Sequence, residues 1–117
     1  MISVTIFLEG LIMEDDAETA YKEYLESLTV EELEALNPES SVEKLRDLST
    51  HESHKVRSNV ANNESTPAEL FGSFVTDEHY LVRIGLVFNP NVTEEALEIL
   101  ADDDNELVRK AVASKKS

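Results

Sequence analysis

Three small groups of residues in this 117-residue chain could do chemistry. The first is His51-Glu52-Ser53-His54. On a helix its two imidazoles would share a face and could hold a metal ion with Glu52 or Asp47. The second is Asp102-Asp103-Asp104-Asn105-Glu106, whose hard oxygens invite calcium. It lacks the glycine and the spacing of an EF-hand loop, so it reads more simply as a helix N-cap with acids near the positive end of the dipole. The third is Arg57, Arg83 and Arg109, each directly after a valine (Val56, Val82, Val108). A guanidinium there can grip a loop acid such as Asp77 or Asp103, or a neighbouring carbonyl, and so staple the structure. Alternatively the three form a row of donors for phosphates or an acidic peptide. No nucleophile constellation, Gly-rich phosphate loop or H-E-x-x-H motif is present. The chain has no cysteine, which removes disulfides, thiolate metal sites and cysteine nucleophiles. The expectation is a chain that is not an enzyme, with no catalytic residue, cofactor or metal.

The arginines are one column of a larger pattern. Asn37, Asn63 and Asn89 open units that align without a gap at a period of 26 residues: 37–62, 63–88 and 89–114. Leu45, Phe71 and Leu97 form another matching column. A fixed period of this size marks a stacked-repeat protein, in which each unit buries its apolar face on its neighbours. Each unit holds two short helical patterns. The first runs over Val42–Ser49, Ala68–Val75 and Glu94–Ala101, with Leu45/Leu48, Phe71/Phe74 and Leu97/Leu100 three apart. The second runs over Lys55–Ala61, Leu81–Val87 and Leu107–Ala113, with Val56/Val60, Val82/Leu86 and Val108/Val112 four apart. Both spacings put the pair on one helical face. Pro67 stands where a first helical position would be, after a Ser65-Thr66 cap candidate, and Thr93 before Glu94 and Glu95 reads as another helix start. Asn63, Asn89 and Pro90 mark where second helices end. Gly85 interrupts a helix at a cost of roughly 1 kcal/mol against Ala, which suggests close packing there.

The strings VRSNVANNESTPAELFGSF and LVRIGLVFNPNVTEEALEILADDDNELVRKAVAS resemble leucine-rich variant repeats, a HEAT-like family. Its signature is a V-R-x-x-V-A-x-N-P-x-T-P-x-x-L-like run followed by an A-x-D stretch. The likeness spans residues 37–114, and the units here are slightly longer than is usual for that family. The resemblance implies a right-handed α-solenoid of paired short helices, some of them 3₁₀, with no shared enzymatic activity. Some members hold an iron–sulfur cluster through N-terminal cysteines, a feature that a cysteine-free chain does not inherit.

Residues 1–36 fall outside the pattern. Ile2, Val4, Ile6 and Leu8 alternate with Ser3, Thr5 and Phe7, favouring a strand that Glu9-Gly10 could turn into a second one at Leu11–Met13. Asp16–Leu28 reads as a helix with Ala20, Tyr21, Tyr24, Leu25 and Leu28 on one side, and Val30–Leu36 as a shorter one. A lone hairpin is marginal in water, so it either caps the first repeat or pairs with a second copy as a homodimer. The expected fold is therefore mostly α. It is one structural domain, a short solenoid of three two-helix repeats with a small N-terminal hairpin/helix cap and a short basic tail.

The net charge is −15, unevenly spread. Residues 1–36 hold ten acids against Lys22 alone, the three units carry 0, −3 and −5, and Lys115 and Lys116 add two positive charges. Such a field repels nucleic acid and anionic membrane and attracts basic partners. The opening MISVTIFLEGLIMEDD lacks a basic start and a small-residue cleavage site, and it is too interrupted to span a bilayer. A cytoplasmic, non-catalytic protein–protein interaction module with a basic protein partner is the leading expectation. The alternative is an acidic inhibitor that imitates nucleic-acid charge on a basic nucleic-acid-binding protein. The acids expected to carry either role are Glu14, Asp15, Asp16, Glu18, Glu23 and Glu26, with Asp102, Asp103 and Asp104.

Overall fold

The computed structural model describes residues 14–116, and these are mostly helical. Eight α-helices follow one another: α1 (Glu14–Ser27), α2 (Val30–Leu36), α3 (Val42–Leu48), α4 (His54–Asn62), α5 (Phe71–Val75), α6 (Tyr80–Val87), α7 (Glu94–Leu100) and α8 (Glu106–Lys116). A 3₁₀ turn, Ala68–Leu70, leads directly into α5. There is no strand among the described residues, and the expected hairpin at 2–13 lies outside them. The chain divides near residue 30 into two units: α1 falls in one and the residues from Glu31 onward in the other. In α1, Ala20, Tyr21 and Tyr24 are exposed, the two tyrosine rings lying 6.3 Å apart.

In the larger unit the apolar columns become its core. Leu45, Phe71 and Leu97 are buried, as are Leu48, Phe74 and Leu100 on the same helices one turn later. Val56, Val82 and Val108, and Val60, Leu86 and Val112, do the same for the second helices. The pattern of contacts follows: α4 packs on α6 and α6 on α8, while α5 packs on α7. Each helix presents one stripe to this shared core because its apolar residues recur at three and four.

The helix starts show why the sequence folds this way locally. Ser41 Oγ accepts from Lys44 N–H to cap α3, and Thr93 Oγ1 accepts from Ala96 N–H to cap α7. The position between them in the 26-residue frame is Pro67, which has no side-chain acceptor and stands at the cap, not at a first helical position. The middle helix therefore begins as 3₁₀ and becomes α only at Phe71. Ser65 and Thr66 do not cap it as expected. Thr66 is buried and donates its hydroxyl to Val60 O at 2.6 Å, and Ser65 donates to Pro38 O. The second helices are capped by Ser53, His79 and Asn105, each accepting from the amide two residues on. Asn105, not one of the three aspartates, thus caps α8. That helix also runs three residues beyond the expected Ala113, because position 115 carries Lys and not the Asn that ends α4 and follows α6.

Gly85 lies on the side of α6 that packs against Ser58 and Ala61 of α4. A Cβ there would lie 2.7 Å from the Ser58 carbonyl oxygen and 3.1 Å from Ser58 Oγ, which itself donates to Leu81 O. The obstructing atom is backbone and cannot swing aside. Gly85→Ala is expected to destabilise by about 2 kcal/mol in spite of the better helix propensity of alanine. Gly72, with open space around its Cα, is the internal control: Gly72→Ala is expected to stabilise by up to about 1 kcal/mol. Urea unfolding of both variants, read by circular dichroism, checks the opposite signs.

Candidate interaction surface

The arginine column forms two internal clamps. Arg57 Nε lies 2.8 Å from Asp77 Oδ2 and its Nη2 3.1 Å from Asp77 Oδ1. Arg83 repeats this on Asp103, at 2.8 Å and 3.2 Å. The third guanidinium nitrogen holds the arginine's own unit: Nη1 donates to the carbonyl six residues back, His51, Asp77 and Asp103 for Arg57, Arg83 and Arg109 in turn. These fork pairs are largely withdrawn from water, with side chains 11% exposed in the first and 13% and 8% in the second. Neither Arg57 nor Arg83 keeps a free fork for a phosphate. Among the described residues Arg109 makes only its backbone contact, and it is exposed.

The aspartates also order the loops. Asp77 Oδ1 accepts from His79 N–H and Asp103 Oδ1 from Asn105 N–H. Burial alone would raise the carboxyl of Asp77, but the Arg57 guanidinium and the His79 amide outweigh it and hold the group below its usual value. In Asp103 burial is likewise outweighed, by the Asn105 amide and Arg83. The Arg57 guanidinium is held yet more firmly charged by its bonds to Asp77. At the corresponding place in the first unit, His51 keeps half of the aspartate's work, its Nδ1 accepting from Ser53 N–H.

A second set of clamps uses asparagine. Asn63 Nδ2 donates to Ala35 O and Asn37 O at 2.8 Å and 2.9 Å, and Asn89 Nδ2 to Ala61 O and Asn63 O at 2.7 Å and 2.9 Å. Each Oδ1 accepts from the amide two residues on. Both side chains are buried. These residues were legible as helix ends, but their role across units was not. Lys115 occupies the next place in the frame and donates Nζ to Asn89 O at 3.2 Å.

The histidines do not form a ligand set. His54 and His79 stack face to face with ring centroids 3.7 Å apart and planes 7° apart, so their in-plane lone pairs run parallel and do not converge on one ion. His79 Nδ1 is engaged as the α6 cap, and partial burial beside His79 pushes the His54 imidazole below its usual range. Among the described residues no group of three histidines or carboxylates could hold a metal.

What faces water is acidic, with apolar patches. Asp103 is the half-buried partner of Arg83, whereas Asp104 is 96% exposed at its side chain and Asp102 is exposed. In α1, Glu18, Glu23 and Glu26 are exposed. At 3.6 residues per turn these three acids span an arc of roughly 140°, so they do not form a narrow row. Ile99 and Leu107 lie in the most acidic unit and are 59% and 51% exposed. A hollow of about 250 Å³ opens between α5 and α7, and one of about 180 Å³ between Leu36, Asn59 and Pro90. No helix among the described residues is long and apolar enough to cross a membrane. No family model, curated protein or solved structure matches this chain.

Proposed function

We propose that this chain is a non-catalytic protein–protein interaction module, a short right-handed α-solenoid of the leucine-rich variant kind, whose acidic outer surface engages a basic protein in the cytoplasm. The observation that carries this reading is the division of labour among polar groups. Four that recur at 26 residues, Arg57, Arg83, Asn63 and Asn89, are spent inside, on Arg–Asp and Asn–carbonyl clamps. Those that vary between units stand outside as acids, beside the exposed Ile99 and Leu107. A basic protein with apolar side chains of its own complements both properties of that surface. The proposal includes pairing of two copies through the segment at residues 2–13, whose alternating sequence favours a strand and which lies outside the described residues.

The second reading, an acidic inhibitor imitating nucleic-acid charge, draws support from the exposed acids of α1, Glu18, Glu23 and Glu26. Exposed apolar side chains add nothing to such imitation, and they favour the first reading. Affinity capture from lysate separates the two. With apolar contacts contributing, a basic partner stays bound at 1 M salt, where the screening length falls to about 3 Å. Neutralising Glu14, Asp15, Asp16 and Glu18 together to their amides then weakens it by no more than about threefold. Capture only of nucleic-acid-binding proteins, all released by moderate salt and all lost in the fourfold variant, would replace the first reading with the second.

A further inference from the structure

The three units carry a glutamate in the same place: Glu43, Glu69 and Glu95. The middle one is occupied. Arg46, on α3 of the preceding unit, places Nη2 2.5 Å and Nε 3.1 Å from Glu69 Oε2. Its side chain thereby lies across the step from one unit to the next. The residue that stands to Glu95 as Arg46 stands to Glu69 is 26 positions further on, and it is Gly72. Among the described residues no cation pairs with Glu95.

The missing side chain leaves a shaped space. A Cβ at Gly72 would meet no heavy atom within 4 Å. Around it opens the hollow of about 250 Å³ between α5 and α7, with Phe71, Val75 and Ala96 beneath and Ile99 and Glu95 at its edge. An apolar floor with a single carboxylate at the lip suits a side chain that is aliphatic along its length and cationic at its tip. The occupied counterpart shows which cation: Glu69 receives two guanidinium nitrogens from Arg46, a grip that an ammonium point charge does not reproduce. The surrounding field favours it too, since units two and three carry −3 and −5.

We propose that the α5–α7 groove docks an arginine from a cationic segment of a protein partner, in the place that Arg46 fills one unit earlier. The arginine stem lies over Gly72 between Phe71 and Ile99, and the guanidinium pairs with Glu95. This inference rests on the interaction-module reading and names the recognition element that the partner must carry.

The test is a fluorescence-anisotropy titration of the full chain with a labelled, end-blocked dodecapeptide of arginines and leucines, and with its lysine counterpart. The arginine peptide is expected to bind, and the lysine peptide to bind several-fold more weakly. Gly72→Arg fills the groove from within and supplies Glu95 with its own cation, so it is expected to weaken the arginine peptide by about tenfold. Glu95→Gln is expected to do the same and to erase the preference for arginine over lysine. Glu39→Gln removes one exposed charge elsewhere and is expected to change affinity by less than about twofold. Should Gly72→Arg lose its helical circular dichroism, Glu95→Gln and Ile99→Ala decide. Equal binding by Gly72→Arg and the unaltered chain overturns the site, as does absence of any binding at millimolar protein. Equal losses in Glu95→Gln and Glu39→Gln also overturn it, because they mean diffuse attraction; the module reading would survive that result. A lysate that yields no partner sinks the module reading, whatever the peptide does.

Discussion

Asn89→Ala is expected to cost about 3 kcal/mol and to lower the melting temperature by roughly 10 °C. Asn89 is 0% exposed, and its amide serves three backbone groups at once. Nδ2 closes the carbonyls of Ala61 and Asn63, while Oδ1 receives the amide of Asn91. Alanine leaves Ala61 O and Asn91 N–H without that partner and deprives Asn63 O of its side-chain donor. Leaving a buried polar group unsatisfied costs about 1–3 kcal/mol, so two or three together reach the stated figure after relaxation and water entry. Asn37→Ala supplies the contrast. Asn37 is exposed, and its Oδ1 receives only Glu39 N–H, so the loss is expected to stay under about 1 kcal/mol. Thermal unfolding of both variants measures the difference, and similar losses would refute the clamp.

Arg83→Met follows closely, at about 3 kcal/mol. Methionine preserves much of the stem but strands the Asp103 carboxylate, whose side chain is only 8% exposed, and removes the donor to Asp77 O. The penalty comes mainly from the abandoned charge. Adding Asp103→Leu is therefore expected to recover a substantial part of it, although Asn105 N–H then loses its acceptor. Arg109→Met, lacking an aspartate partner, is expected to cost less than about 1 kcal/mol.

The pair also has a pH signature. Asp103 titrates below its unfolded value, so it contributes stability that is fully present above about pH 4 and disappears as pH falls through the lower folded value. The whole chain responds differently, because protonating its many acids first relieves self-repulsion. The informative quantity is the gap between the original chain and Arg83→Met. That gap is expected to be constant from neutral pH to about 5 and to shrink below about 4.

These effects separate what a linear reading captures from what it misses. The apolar columns were legible because a residue's burial on a helix follows from its three- and four-residue neighbours. The reach of Arg57 to Asp77 was legible for a related reason, since both belong to columns that recur with the period. Asn63 and Asn89 read as stop signals, and they do stand at helix ends. Their larger role was hidden because the carbonyls they satisfy lie 26 and 28 residues earlier, and nothing local says that a polar side chain will be enclosed. Pro67 misled in a smaller way. Its fixed φ suits a first helical turn, but the frame placed it at a cap, where it has no acceptor to offer and a 3₁₀ start results. The Gly72–Glu95 groove showed itself only once Arg46 was seen lying on Glu69, because an absent side chain leaves no mark in a sequence unless its counterpart's function is known.

The asparagine clamps also set how this chain can change in length. Each amide must meet two carbonyls at once, 26 and 28 residues earlier, and the atoms it bridges are fixed in pairs by the turns at Asn37 and Asn63. Adding or deleting one residue within a helix would swing every later side chain by about 100° about the helix axis, carrying the amide away from its acceptors. Gains or losses of a whole unit leave every clamp with an equivalent partner. Among insertions and deletions that cross a helix, the tolerated size is therefore quantised, and the molecule can grow or shrink as a ladder does, by complete rungs.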